Sequence, residues 1–116
     1  MVTVADVRAF AGTLPRAYEV VVHGRLKFRV GQIVYVAFSR DETVMCFAFP
    51  REEREALIDT DPDKFLHPRA SDLRFNWVVA RLDRLDAAEM VELVVDAWRM
   101  CVPKKLAADY LGERGR

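Results

Sequence analysis

Apolar and polar residues alternate most cleanly over residues 25–30, where Leu26, Phe28 and Val30 interleave with Arg25, Lys27 and Arg29. A period of two puts the apolar set on one face of a strand and the basic set on the other. The segment before it, Tyr18 to Val22, is rich in β-branched residues and predicts a second strand, joined through the turn signal His23-Gly24. After Gly31-Gln32 comes a nearly all-apolar run, Ile33 to Phe38, then the polar turn Arg40-Asp41-Glu42, then a second apolar run, Thr43 to Phe49. Four short successive strands with brief turns predict an antiparallel meander.

Helical spacing flanks this block. Thr3 reads as an N-cap with Asp6 three residues on, followed by Val4, Val7, Phe10, Ala11 and Leu14 at helical intervals up to the stop at Pro15. Pro50 fits the first position of a second helix, with Glu52 and Glu53 in its first turn, Leu57 and Ile58 as its apolar patch and Asp61-Pro62 as its end. Residues 60–73 read as a polar loop, and Phe75 to Leu82 as a final strand in which Phe75, Trp77 and Val79 share a face. Asp86 with Glu89 resembles a capping box for a helix through Met90, Val94, Ala97 and Cys101; Pro103 interrupts it, and Lys104 to Leu111 forms a last helix, with a frayed tail over 112–116. The order α-β-β-β-β-α-β-α-α clusters the strands. It predicts a single α+β domain over residues 1–116, with an antiparallel sheet of about five strands and helices packed against it.

Composition bounds the class further. At 116 residues the chain suits one domain, and 52% apolar with 31% charged residues is ordinary globular usage. No apolar run has membrane-spanning length, so no membrane partner is expected. The first ten residues include Asp6 and Arg8 and do not resemble a signal peptide. Cys46 and Cys101 sit inside apolar runs, which predicts buried free thiols in a reducing, cytoplasmic setting.

The formal charge is zero, which counts against a dedicated nucleic-acid binder. Its distribution along the chain is uneven, however: residues 16–40 carry a net +4, residues 41–63 a net −6, and residues 64–84 a net +3. The signs change with the predicted elements, so the fold can sort them onto different faces.

The run from His23 through Arg25, Lys27 and Arg29 to Gly31, followed by the apolar strand from Ile33, resembles the signature of the MmcQ/YjbR family. Further matches follow in order: Glu53-Arg54-Glu55-Ala56-Leu57, Asp61-Pro62-Asp63-Lys64-Phe65, Asn76-Trp77-Val78, Ala97-Trp98-Arg99 and Pro103-Lys104. The resemblance spans residues 5–111. It implies a compact α+β fold similar to CyaY-like and secretion-chaperone-like domains, and DNA binding through a "double wing" surface. It brings no catalytic residues.

Motif chemistry agrees that no catalytic, metal or cofactor site is to be expected, and hence no enzyme. His23 and His67 lie in different loops without ligand-spaced partners, and no HExxH, CxxC, P-loop or GxGxxG occurs. Asp59, Asp61 and Asp63 alternate as in a calcium loop but lack its glycine and terminal glutamate. The basic stripe Arg25, Lys27 and Arg29 is the candidate interface, extended by Arg69, Arg74 and Arg81 where the last strand lies near, with Trp77 as the candidate for base stacking. Two readings of the stripe stand. Either Glu19 or the acids Glu52, Glu53 and Glu55 neutralise it, or it meets a phosphate backbone. The partners consistent with these features are DNA, a protein partner or a second copy; the alternatives to DNA binding are a chaperone-like interaction module, as a homodimer for example, and a small-ligand binder.

Overall fold

The computed structural model describes residues 1–114, with side chains through residue 112. The elements are α1 (Val4–Ala11), β1 (Ala17–Val22), β2 (Arg25–Val30), β3 (Ile33–Phe38), β4 (Val44–Ala48), α2 (Arg54–Thr60), β5 (Phe65–Leu66), β6 (Trp77–Arg81), α3 (Ala87–Arg99) and α4 (Lys104–Arg114). Short 3-10 turns cover Arg51–Glu53, Ala70–Asp72 and Leu82–Arg84. One antiparallel sheet has the strand order β1-β2-β3-β4-β6-β5. The α+β class and the four-strand meander are as the sequence pattern predicts.

His23 and Gly24 both have positive φ, 52° and 75°, which makes β1–β2 a two-residue hairpin whose turn twist matches the strands. A Cβ on Gly24 would meet nothing within 4 Å, so a side chain there strains only the backbone. Gly24→Ala should therefore lower stability by about 1 kcal/mol in urea unfolding. An unchanged midpoint would contradict this account of the turn.

Between β2 and β3 the register slips: Phe28 faces Val36 while Arg29 faces Val34. Tyr35 is the extra residue of a bulge. Tyr35 and Val36 are consequently both fully buried, with the Tyr35 ring centroid 6.4 Å from that of Phe28. The bulge explains why this strand reads as continuously apolar rather than alternating.

One sheet face carries Phe28, Phe38, Met45, Phe47, Phe65, Val78 and Ala80 into the core. Helices α1 and α3 cover that face, with Val7, Ala11, Met90, Val94 and Trp98 fully or almost fully buried. Thr3 and Asp6 form the expected reciprocal cap of α1, and hydrogen bonds from Thr3 hold the Asp6 carboxyl below its usual pKa. The Asp86 side chain accepts from the Glu89 amide at 2.7 Å and starts α3. Trp98 Nε1 donates to the Pro15 carbonyl at 2.9 Å, tying α3 to the end of the first helical segment.

Several boundaries differ from the sequence pattern. The sheet has six strands, because Phe65 and Leu66 pair with Ala80 and Val79 inside the segment expected to be loop. Two residues are too few for periodicity to reveal; the pairing partner makes the strand. Pro50 opens a 3-10 turn rather than the helix itself, which starts at Arg54. The last strand begins at Trp77, so Phe75 lies outside it and does not share the face of Trp77 and Val79. Helix α4 runs past Gly112 to Arg114, and the tail expected to fray otherwise lies outside the described residues. No helix among the described residues is long and apolar enough to cross a membrane.

Candidate nucleic-acid interface

The register decides which side chains share the second sheet face. Tyr18, Val20 and Val22 of β1 face Arg29, Lys27 and Arg25 of β2; Lys27 faces Ala37 of β3; Ala37 faces Cys46 of β4; Cys46 faces Val79 of β6. Arg81 faces Val44 and so points to the same side, with β3 and β4 between it and the stripe. The basic set thus crosses the sheet on the face away from α1 and α3.

Arg25, Lys27 and Arg29 are half-buried, their stems lying along the sheet. Among the described residues none of the three is in an ion pair with a carboxylate. Arg25 Nε donates to the Phe38 carbonyl at 3.0 Å, which fixes its stem. Arg29 Nε is shielded and has no partner among the described residues. Three of the four carboxylates that were candidates for neutralising the stripe have partners elsewhere. Glu19 faces Phe28, on the helix side, and pairs with Arg8 of α1 at 2.8 Å. Glu52 lies 3.6 Å from Arg51, and Glu55 lies 2.7 Å from His67.

The connection from β5 to β6 carries Arg69, Asp72 and Arg74, and the charges of the first two reach Cys46 on this face. The Cys46 thiol is pushed up to about 12, first by burial and then by Asp72, against the opposing influence of Arg25, Arg69 and Lys27. The Cys46 thiol is thus within electrostatic reach of all four charges. Arg69 is 3.4 Å from Asp72, so its charge is partly matched. Arg74 instead lies over the Phe75 ring, 4.7 Å from its centroid. Cys46 and Cys101 are both free thiols, half-buried rather than fully buried. No group of three or more His, Cys, Asp or Glu among the described residues is placed to hold a metal ion. Two solvent-open grooves, of about 650 and 790 Å³, are present: one beside Phe49, Met100 and Ala107, the other beside Val4, Val44 and Arg81, where it meets the margin of this face.

The YjbR family model matches residues 12–100, a span that contains every strand together with α2 and α3. The chain belongs to the YjbR family. The crystal structure of Deinococcus radiodurans protein DR2400, which carries a DUF419 family-model domain, is similar in fold, with a TM-score of 0.75 at 23% identity over 86% of this chain and 78% of that one. No curated protein matches the chain.

Two residues of this YjbR domain shape the candidate surface and are not evident from its sequence. Arg54 is buried, 8% exposed, and donates to the carbonyls of Leu73, Phe75 and Trp77 at 2.8–3.2 Å. Arg51 adds a bond to the Arg74 carbonyl, and the Arg51 amide donates to Asn76 Oδ1 at 3.1 Å. The segment that carries Arg74 is thus held from α2 and the turn before it. The second residue is Phe75, 45% exposed, whereas Trp77 is half-buried against the core. Of the two aromatics, Phe75 is the one open to a stacking base. An arginine among three glutamates and a phenylalanine two positions from a tryptophan give no sequence signal for either role.

Proposed function

We propose that this YjbR-family protein is a non-enzymatic DNA-binding module that grips the phosphate backbone with the open face of its sheet. The observation that supports this most is the stripe Arg25, Lys27 and Arg29: three cations on one face, pre-set by packing, with no carboxylate partner among the described residues. Like charges side by side on a strand repel, and an anion that bridges them relieves the repulsion. Arginine suits this role because its planar fork meets phosphate oxygens two at a time. Arg74 and Phe75 extend the surface with a cation and an exposed ring, and Arg81 and Arg69 contribute charge at its margin. Contacts of this kind position a backbone without reading sequence. The two unpaired thiols suit a reducing cytoplasm.

Fluorescence anisotropy with random single- and double-stranded DNA tests the reading. Three phosphate contacts give a slope of log K against log salt of about −2 to −3. The variant Arg25→Ala/Lys27→Ala/Arg29→Ala should flatten that slope and weaken binding to both DNA forms. Phe75→Ala should weaken the single-stranded complex alone, by about 1–2 kcal/mol. Absence of binding by the parent at low salt would overturn the proposal, as would a folded triple variant that binds as the parent does.

A further inference from the structure

The two edges of the sheet are very different. On one side β5 is two residues long and is followed by Pro68. Short edge strands and prolines discourage pairing with another chain. On the other side β1 spans six residues, Ala17–Val22, with no proline, lysine or bulge. Val21 is 68% exposed there.

The hairpin fixes which backbone groups of β1 are free. Val22 and Arg25 close a two-residue turn, so they form a hydrogen-bonded pair, and so do Val20 with Lys27 and Tyr18 with Arg29. The N–H and C=O groups of Ala17, Glu19 and Val21 must then point away from the sheet. The Ala17 amide confirms this alternation: it donates outward, to the Leu14 carbonyl at 3.2 Å. Those of Glu19 and Val21 have no partner among the described residues. Such a row is a template on which another extended strand can pair in place of water.

We infer that β1 pairs antiparallel with β1 of a second copy of this chain, forming a weak two-fold dimer with one continuous sheet. The sequence of β1 is self-complementary about Val20. With Val20 at the two-fold axis, Glu19 and Val21 of each copy exchange hydrogen bonds with Val21 and Glu19 of the other. Tyr18 then faces Val22 of the second copy, an aromatic against a β-branched side chain, and Val20 faces Val20. The one acid of the strand, Glu19, faces a valine rather than its own copy and keeps its pairing with Arg8. The axis runs perpendicular to the sheet, so both basic faces lie on the same side, their β2 strands about 14 Å apart. A contact made by one strand per copy is smaller than the area of a standard stable interface, about 1,200 Å² or more, so association is reversible.

Sedimentation velocity without DNA, from micromolar to millimolar protein, should show mass rising toward a dimer. Proline at position 21 removes an outward N–H and leaves the β1–β2 bonds intact. Val21→Pro should therefore raise the dissociation constant at least about tenfold. In the parent pairing Val20 faces Val20 at a non-hydrogen-bonded position, within disulfide reach. Val20→Cys should cross-link to itself on mild oxidation, mapped to residue 20 by peptide mass. If the proline variant loses its fold, the cross-link decides alone. A parent that stays monomeric at millimolar concentration would overturn the inference and leave the edge to a foreign strand. So would a dimer that fails to cross-link through residue 20.

Discussion

Trp98→Ala should remove about 4 kcal/mol of folding stability, measured as a lower urea midpoint. Trp98 is fully buried and links three parts of the molecule. Its ring packs edge-on against Tyr110 of α4 at 5.0 Å between centroids, its Nε1 donates to Pro15 beyond α1, and its helix lies on β3 and β4. Truncation opens a cavity among elements that cannot all close on it and leaves the Pro15 carbonyl without its donor. Trp98→Phe separates the two contributions: it keeps most of the volume and loses the hydrogen bond, so it should cost about 1–2 kcal/mol beyond any packing change. A loss below 1 kcal/mol for the alanine variant would show that α3 is not anchored through this residue.

Arg54→Met should cost about 3 kcal/mol, an unusual amount for replacing a charged residue with an apolar one of similar length. The guanidinium is compensated by three backbone carbonyls rather than by a carboxylate. Methionine fills the volume but leaves the carbonyls of Leu73, Phe75 and Trp77 without donors in a shielded place. Arg54→Lys should recover only part of the loss, since one ammonium cannot span carbonyls that the planar fork reaches with two nitrogens. Urea unfolding gives the stability, and amide hydrogen exchange over residues 69–77 tells whether the connection loosens first. Unchanged exchange there would rule out the holding role.

The parts legible in the sequence are those decided by local chemistry. The meander follows from period-two alternation at residues 25–30 and from Gly24 and Gly31 at positive φ. The candidate stripe was legible for the same reason, and its register against β1 places Glu19 on the opposite face. What escaped was decided by distant partners. β5 exists because β6 lies beside it, not because Phe65 and Leu66 prefer extended structure. Arg54 sits among Glu52, Glu53 and Glu55 and reads as part of a solvated helix face; its burial depends on carbonyls that arrive some twenty residues later in the chain. Phe75 alternates with Trp77 on paper, but the strand starts only at Trp77, and an exposed ring results.

The contacts of Arg54 are all to main-chain oxygen. They hold the path of the β5–β6 connection while making no demand on the identity of Leu73 or Phe75, since any residue at those positions offers the same carbonyl. Shape and composition are thereby uncoupled over this short stretch. Substitutions there can change the side chains the surface presents without unsettling the frame that presents them, so the connection is free to diversify in a way that the stripe on β2, with its stems packed along the sheet, is not.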